Sequence, residues 1–185
     1  MADVGYMAQV VKKTDIISIR MDSNLSRKLH EKSDEQKVSL NTLINNMLEK
    51  QVHWHDLTNE VGWVNIFRST FRELMDSISK EKALKIGQTT GKTDLQNSIN
   101  YFYGRVDLDT VLDLLKKQFQ GMKIQIRRMS EKDGEKIIIQ HDLGRNWPHL
   151  IVSELNELLN EIGYRIINDE YNKQGFSFKI ISVED

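Results

Sequence analysis

The sequence predicts an α+β chain in two parts: a strand-helix-helix module, then a larger domain of helices and antiparallel sheet in the order ααα-ββαββ. Three observations predict it. The apolar period is 2 over residues 15–21, becomes helical from there to about Gly121, and returns to 2 afterwards. Lys132-Asp133-Gly134 carries the Asp-Gly signal of a hairpin between two such period-2 runs. The length of 185 residues exceeds one domain of ~150 residues without reaching two large ones.

Residues 1–13 have no periodicity and are expected as a flexible arm. In Asp15-Ile16-Ile17-Ser18-Ile19-Arg20-Met21, strand alternation puts Ile17, Ile19 and Met21 on one face and Ile16, Ser18 and Arg20 on the other. Asp22 or Ser23 supplies an N-cap oxygen for a helix with Leu25 and Leu29 four residues apart. A second helix opens at Ser39, where Leu40, Leu43, Ile44, Met47 and Leu48 follow the i, i+3, i+4, i+7, i+8 spacing. One strand and two short helices bury too little to stand alone, so residues 14–61 are expected to pair with a second copy through antiparallel strands. The dimer core would then be Ile17, Ile19, Met21, Leu25 and Leu29 with Leu43, Ile44, Met47 and Leu48.

The second domain is expected over residues 62–185. Gly62-Trp63-Val64-Asn65-Ile66-Phe67 reads as an extended hinge, and helical spacing follows in Phe71, Leu74, Met75 and Ile78. One helix is expected over Lys80–Tyr103. Gly87 and Gly91, a turn apart inside it, each cost ~1 kcal/mol relative to alanine and therefore predict close backbone approach by another element. A third helix runs from Asp107 or Asp109 to a stop at Gly121. Met122–Arg127 and Lys136–His141 are the hairpin strands, and a helix from Trp147-Pro148 to Ile162 is ended by Gly163. Tyr164–Tyr171 and Phe176–Val183 are two more strands.

Composition narrows the function classes. There is no cysteine, which excludes thiol catalysis, disulfides and cysteine-ligated metal centres. Met1–Tyr6 lacks a basic segment followed by an apolar core, and no apolar run approaches ~20 residues, so the expected location is the cytoplasm, with no membrane partner. The 26 basic and 27 acidic residues nearly cancel, and residues 1–56 and 57–185 are each balanced. Basic excess is local: residues 12–32 hold six Lys/Arg against three Asp/Glu.

Residues 14–52 resemble the ribbon-helix-helix DNA-binding family of Arc-, MetJ- and CopG-like repressors. The resemblance rests on Ile17-Ser18-Ile19-Arg20-Met21-Asp22 leading to Leu25, and on Val38-Ser39-Leu40-Asn41-Thr42-Leu43-Ile44. It implies a dimer whose two-stranded ribbon enters the major groove of double-stranded DNA with Ile16, Ser18 and Arg20 facing the bases. Arg20 suits a guanine edge, Ser18 several bases, and Ile16 a thymine methyl. Val38, Ser39 and Asn41 at the second helix start, with Lys12, Lys13, Arg27 and Lys28, would contact phosphates. Ile16 departs from the family's usual polar reader, and Lys37 stands where a glycine often makes the turn.

Other constellations are weaker. His53 and His55 on one continuing helix point about 200° apart and cannot share a metal ion, so no metal or other cofactor is expected. His141, Asp142, Arg145 and Trp147 lie at a strand-to-helix junction and form a candidate ligand site, although Asn146 as a cap and Trp147 as a core residue would explain the same residues. No nucleophile triad, acid/base pair or phosphate loop occurs, so catalysis is not expected. In element order, residues 80–182 are faintly similar to the ligand-binding domains of four-vinyl-reductase-type sensors and transport-particle subunits. The expected function is a dimeric or tetrameric, sequence-specific transcriptional regulator whose second domain senses a small-molecule effector, oligomerises or binds a protein. The alternative is an antitoxin-like interaction protein that dimerises through its first module.

Overall fold

The computed structural model describes residues 15–172 and 175–183. The chain is α+β and divides into two units, the first ending at Gln51 and the second beginning at Val52. The boundary thus precedes the expected one at residue 62. Residues 52–61 go with the second unit because Trp54 packs its ring 5.3 Å from Trp63 and 5.5 Å from Phe102.

In the first unit, residues 15–21 form no strand within a single chain. A lone strand has no partner for either edge, so period-2 alternation alone cannot hold it. Helix α1 (Ser23–Gln36) starts where Asp22 Oδ1 accepts from the amides of Asn24 and Leu25 at 2.9 and 3.2 Å. It ends with Lys37 in the left-handed region at φ 55°. There Lys37 N donates to Asp34 O and Val38 N to Ser33 O, both at 3.1 Å, the paired closure usually built around glycine. Helix α2 (Leu40–Lys50) is capped by Ser39 Oγ, which accepts from Thr42 N at 3.0 Å. Leu29 and Leu43 are buried, whereas Ile17, Ile19, Met21, Leu25, Met47 and Leu48 are exposed.

A π-helical turn at Gln51–His55 spans the boundary, and the second unit continues with a short helix α3 (Asp56–Glu60). Three helical segments follow: α4 (Arg68–Ser77), α5 (Lys80–Thr90) running through a π-helical turn at Gly91–Leu95 into α6 (Gln96–Tyr103), and α7 (Leu108–Gly121). The single helix expected over 80–103 is therefore interrupted, and the wide turn falls where Gly91 meets another backbone. Asp107 and Thr110 form the reciprocal capping box at the start of α7. Helix α7 ends at Gly121 as expected, but Gly121 is not the left-handed residue of the turn. Lys123 takes the left-handed conformation instead, with φ 55°, and Ile124 N closes onto Phe119 O at 2.8 Å.

Strands β1 (Gln125–Glu131) and β2 (Gly134–Gln140), helix α8 (Trp147–Glu161), and strands β3 (Tyr164–Asn172) and β4 (Gly175–Ser182) complete the unit. The sheet is antiparallel in the order β1-β2-β4-β3. β1 pairs Glu131 with Gly134, so Lys132-Asp133 occupies the turn, one position earlier than the Asp-Gly signal suggested, and Gly134 belongs to β2. A Cβ at Gly134 would stand 2.1 Å from Ile180 O, which explains the glycine there. Register sets Ile139 between Ile126 and Phe176, and Ile137 opposite Phe178. These side chains and those of α7 and α8, including Leu114, Phe119, Trp147, Leu155 and Leu158, form one core.

Helix α8 is covered on a second side by α5. Ala83, Gly87 and Gly91 recur every four residues and are buried. A Cβ at Gly87 would lie 2.3 Å from Leu150 O, and one at Gly91 2.3 Å from Glu154 O. The expected close approach is thus a helix–helix seam, tied further by Ser153 Oγ donating to Leu84 O at 2.9 Å. Among the described residues, no helix is long and apolar enough to cross a membrane.

Two outcomes test this seam. Gly87→Ala gains about 1 kcal/mol of helix propensity but forces a methyl into the Leu150 carbonyl, so net destabilisation of about 1–3 kcal/mol is expected in urea unfolding. An unfolding midpoint equal to or above that of the parent would refute the contact. Glu154 sits in the same seam, where burial raises its carboxyl to about 7 against a hydrogen bond from Thr90, with Asp94 adding to the rise. The native state then holds more protons than the unfolded chain between Glu154's ordinary value and about 7, so this contribution to stability falls as pH rises through that window. Glu154→Gln should flatten the pH dependence of melting between pH 5 and 8 and stabilise the chain at pH 8 by roughly 2 kcal/mol; an unchanged slope would exclude Glu154 as its source.

Candidate functional site

The first unit presents its expected reader residues at the surface. Ile16 is 99% exposed, and Ser18 and Arg20 are exposed beside it. Ile17 is also 79% exposed, so the inner and outer faces of the expected strand are not distinguished within one chain. Of the expected phosphate contacts, Lys12 and Lys13 lie outside the described residues. Arg27 pairs with Glu31 at 3.0 Å on the same helix, while Lys28 is exposed. Ser39 Oγ is committed to the α2 cap, and Asn41 Oδ1 accepts from Asn45 Nδ2 at 3.2 Å. At the α2 start the Val38 amide is already given to Ser33 O and the Thr42 amide to Ser39 Oγ, so the anion-binding feature of this helix start rests on the first-turn amides of Leu40 and Asn41, which have no intrahelical acceptor.

The second unit holds a cleft of about 960 Å³ between α4 and the loop joining β2 to α8. Its walls include Arg72, Asp76, His141, Asp142, Arg145 and Tyr171. Three of the four residues expected there, His141, Asp142 and Arg145, line it. Trp147 does not: it is 2% exposed and lies beneath, with its ring 4.8 Å from that of His141, 5.5 Å from Phe119 and 5.8 Å from Phe176. Asn146 precedes α8 without capping it through its side chain, because its Nδ2 instead donates to Ile78 O at 2.8 Å.

The loop is held down by ion pairs and a close approach. Asp142 accepts from both Arg68 and Arg72, and Arg72 Nε also donates to the Asp142 carbonyl at 2.5 Å. Burial opposes ionisation of Asp142, but the Arg68 hydrogen bond and the two guanidinium charges outweigh it and keep the carboxyl below its ordinary value. Asp76 Oδ1 accepts from the Arg145 amide at 2.7 Å, and Arg145 Nη2 donates to the Asp76 carbonyl at 3.1 Å. Gly144, at φ 94°, lies so near α4 that a Cβ would stand 2.9 Å from both Arg72 O and Met75 Cβ.

His141 Nδ1 accepts from Leu143 N at 3.2 Å, which places the proton of the neutral ring on Nε2. Burial lowers its pKa, only partly offset by Asp142. Tyr171 rests 4.3 Å from His149 between ring centroids, and burial followed by its bond to Asp169 pushes its phenol well above the ordinary range. Arg68, Arg72 and Asp76 were missed in the sequence although they recur every four residues on α4, a polar stripe beside Phe71, Met75 and Ile78. Tyr171 reaches the cleft through its register opposite Phe176, which no local signal encodes.

Among the described residues, no group of three or more His, Asp or Glu side chains is placed to hold a metal ion. No protein-family model, curated protein or solved structure matches the chain.

Proposed function

We propose that the chain is a sequence-specific DNA-binding regulator that acts as a dimer through a ribbon-helix-helix first unit, with the second unit reading an effector in its cleft. The observation that carries this reading is the unsatisfied apolar stripe of the first unit. Leu25 and Leu48 are about half exposed, at 50% and 51%, and Ile17, Ile19, Met21 and Met47 are exposed around two properly capped helices. Helices this short gain most of their stability from packing, so an apolar face of this kind needs a cover, and a second copy also supplies the missing strand partner. Pairing two copies of residues 15–21 would set Ser18 and Arg20 outward as groove readers, twice by symmetry.

The left-handed Lys37 turn supports the same reading, because it delivers the α2 start directly after α1 without a glycine. Balanced charge implies modest non-specific affinity and a shallow salt slope, leaving specificity to base contacts. An antitoxin-like chain that folds only on its target is less well supported, since the second unit carries a closed core of its own.

Selection of bound fragments from genomic DNA would give a site, and two variants then test the reading. Arg20→Ala should lose preference for that site while the dimer and its melting temperature stay nearly unchanged. Leu48→Asp should give a monomer in light scattering and lose DNA binding altogether. An Arg20→Ala protein with undiminished site preference would overturn the readout, and a dimeric Leu48→Asp protein would overturn the pairing.

A further inference from the structure

We infer that the cleft between α4 and the β2–α8 loop binds a small aromatic carboxylate, its charge held by Arg145 and Arg72 and its ring laid against Tyr171 and Pro148. This names the ligand class for the effector site proposed above and rests on that reading for its consequence, though not for the binding itself.

The charges come first. Arg72 and Arg145 line the cleft with Asp76 and Asp142, and Arg68 reaches Asp142 from beside it; Asp142 is ion-paired to Arg68 and Arg72, while Asp76 accepts the Arg145 amide. One positive charge is left over, and among the described residues Arg72 Nη1 and Arg145 Nε and Nη1 have no hydrogen-bond partner. A cation would approach against that excess charge, whereas an anion meets open donors on both arginines. His141 adds a donor, because its Nδ1 is occupied and its proton lies on Nε2. The wall therefore offers donors in excess of acceptors, the complement of a carboxylate.

A bare inorganic anion would leave most of the site unused. The volume of about 960 Å³ is that of a small-molecule site, and flat apolar groups, Pro148 and Tyr171, flank the arginines. Tyr171 is held by His149 at 4.3 Å and stacked on Phe176 at 6.4 Å, so its face is fixed before any ligand arrives. Gly144 and the Asp76–Arg145 bonds fix the loop in the same way. The geometry is prepared, which lowers the ordering cost of binding.

Calorimetric titration of the full chain with 2-naphthoate, 2-naphthol and inorganic phosphate tests the proposal without DNA, so its failure is separable from failure of the DNA-binding reading. Naphthoate should bind saturably at one per chain and shift the His141 Nε2–H resonance. Arg145→Gln, which retains the backbone bond to Asp76, should weaken binding at least about fivefold, as a lost charge-assisted pair does. Tyr171→Leu should weaken it by a similar factor while phosphate binding is unaffected. Absence of a naphthoate isotherm, equal affinity for 2-naphthol, equal affinity of Arg145→Gln, or phosphate binding as tightly as naphthoate would each overturn it.

Discussion

The second unit depends on two positions that have no side chain. Helix α8 must lie on the sheet through Ile151, Leu155 and Leu158 and simultaneously accept α5 on another side, and only hydrogen at residues 87 and 91 lets the two backbones approach as they do. Once they do, further contacts follow from geometry. Ser153 reaches Leu84, Asn146 reaches Ile78 at the α4–α5 junction, and Arg145 reaches Asp76. The start of α8, and with it one wall of the cleft, is thereby referenced to the end of α4 by the side chains of Arg145 and Asn146, and the middle of α8 to α5 by Ser153. A seam that works by exclusion of volume tolerates little substitution, because interiors packed near crystal density have nowhere to move a methyl.

How much of this was legible in the sequence varies by element, for physical reasons. Features that act within one turn of chain could be read: the Asp22 and Ser39 caps, the Asp107 start of α7, the proline near the start of α8, and the meaning of Gly87 and Gly91. Features that depend on a distant partner could not. The hairpin turn slipped by one residue because pairing, and the nearness of Ile180 O, decide where Gly134 must sit. Gly121 marks the end of α7 as expected, yet the left-handed positions after α1 and α7 are taken by Lys37 and Lys123, which no glycine signals. The cleft was found from one strand-to-helix junction, while its other wall lies 69 residues away on α4 and shares no local pattern with it.

The two units are incomplete to different degrees. The second closes a core in which Ile99, Leu114, Ile137 and Phe178 are fully buried. Among the described residues the first buries Leu29 and Leu43, half-buries Leu40 and Ile44, and leaves Leu25, Met47 and Leu48 at the surface. Its folding and its assembly are therefore the same event under the proposed pairing, so its apparent stability would rise with chain concentration while that of the second unit would not.

The strand order β1-β2-β4-β3 has a kinetic meaning as well. The two hairpins, β1 with β2 and β3 with β4, are each local, but the central ladder joins Glu135–Gln140 to Gly175–Ile180 across the whole of α8 and β3. Closing that loop costs entropy before any contact rewards it, so the hairpins form early and the centre of the sheet forms late. Until then Ile137, Ile138 and Ile139 present an apolar strand with one open edge, the kind of segment that pairs with neighbouring chains. The charged residues around it, Arg127 and Arg128 on β1 and Lys136 and Lys179 on β2 and β4, oppose such pairing during the interval before α8 and β4 dock.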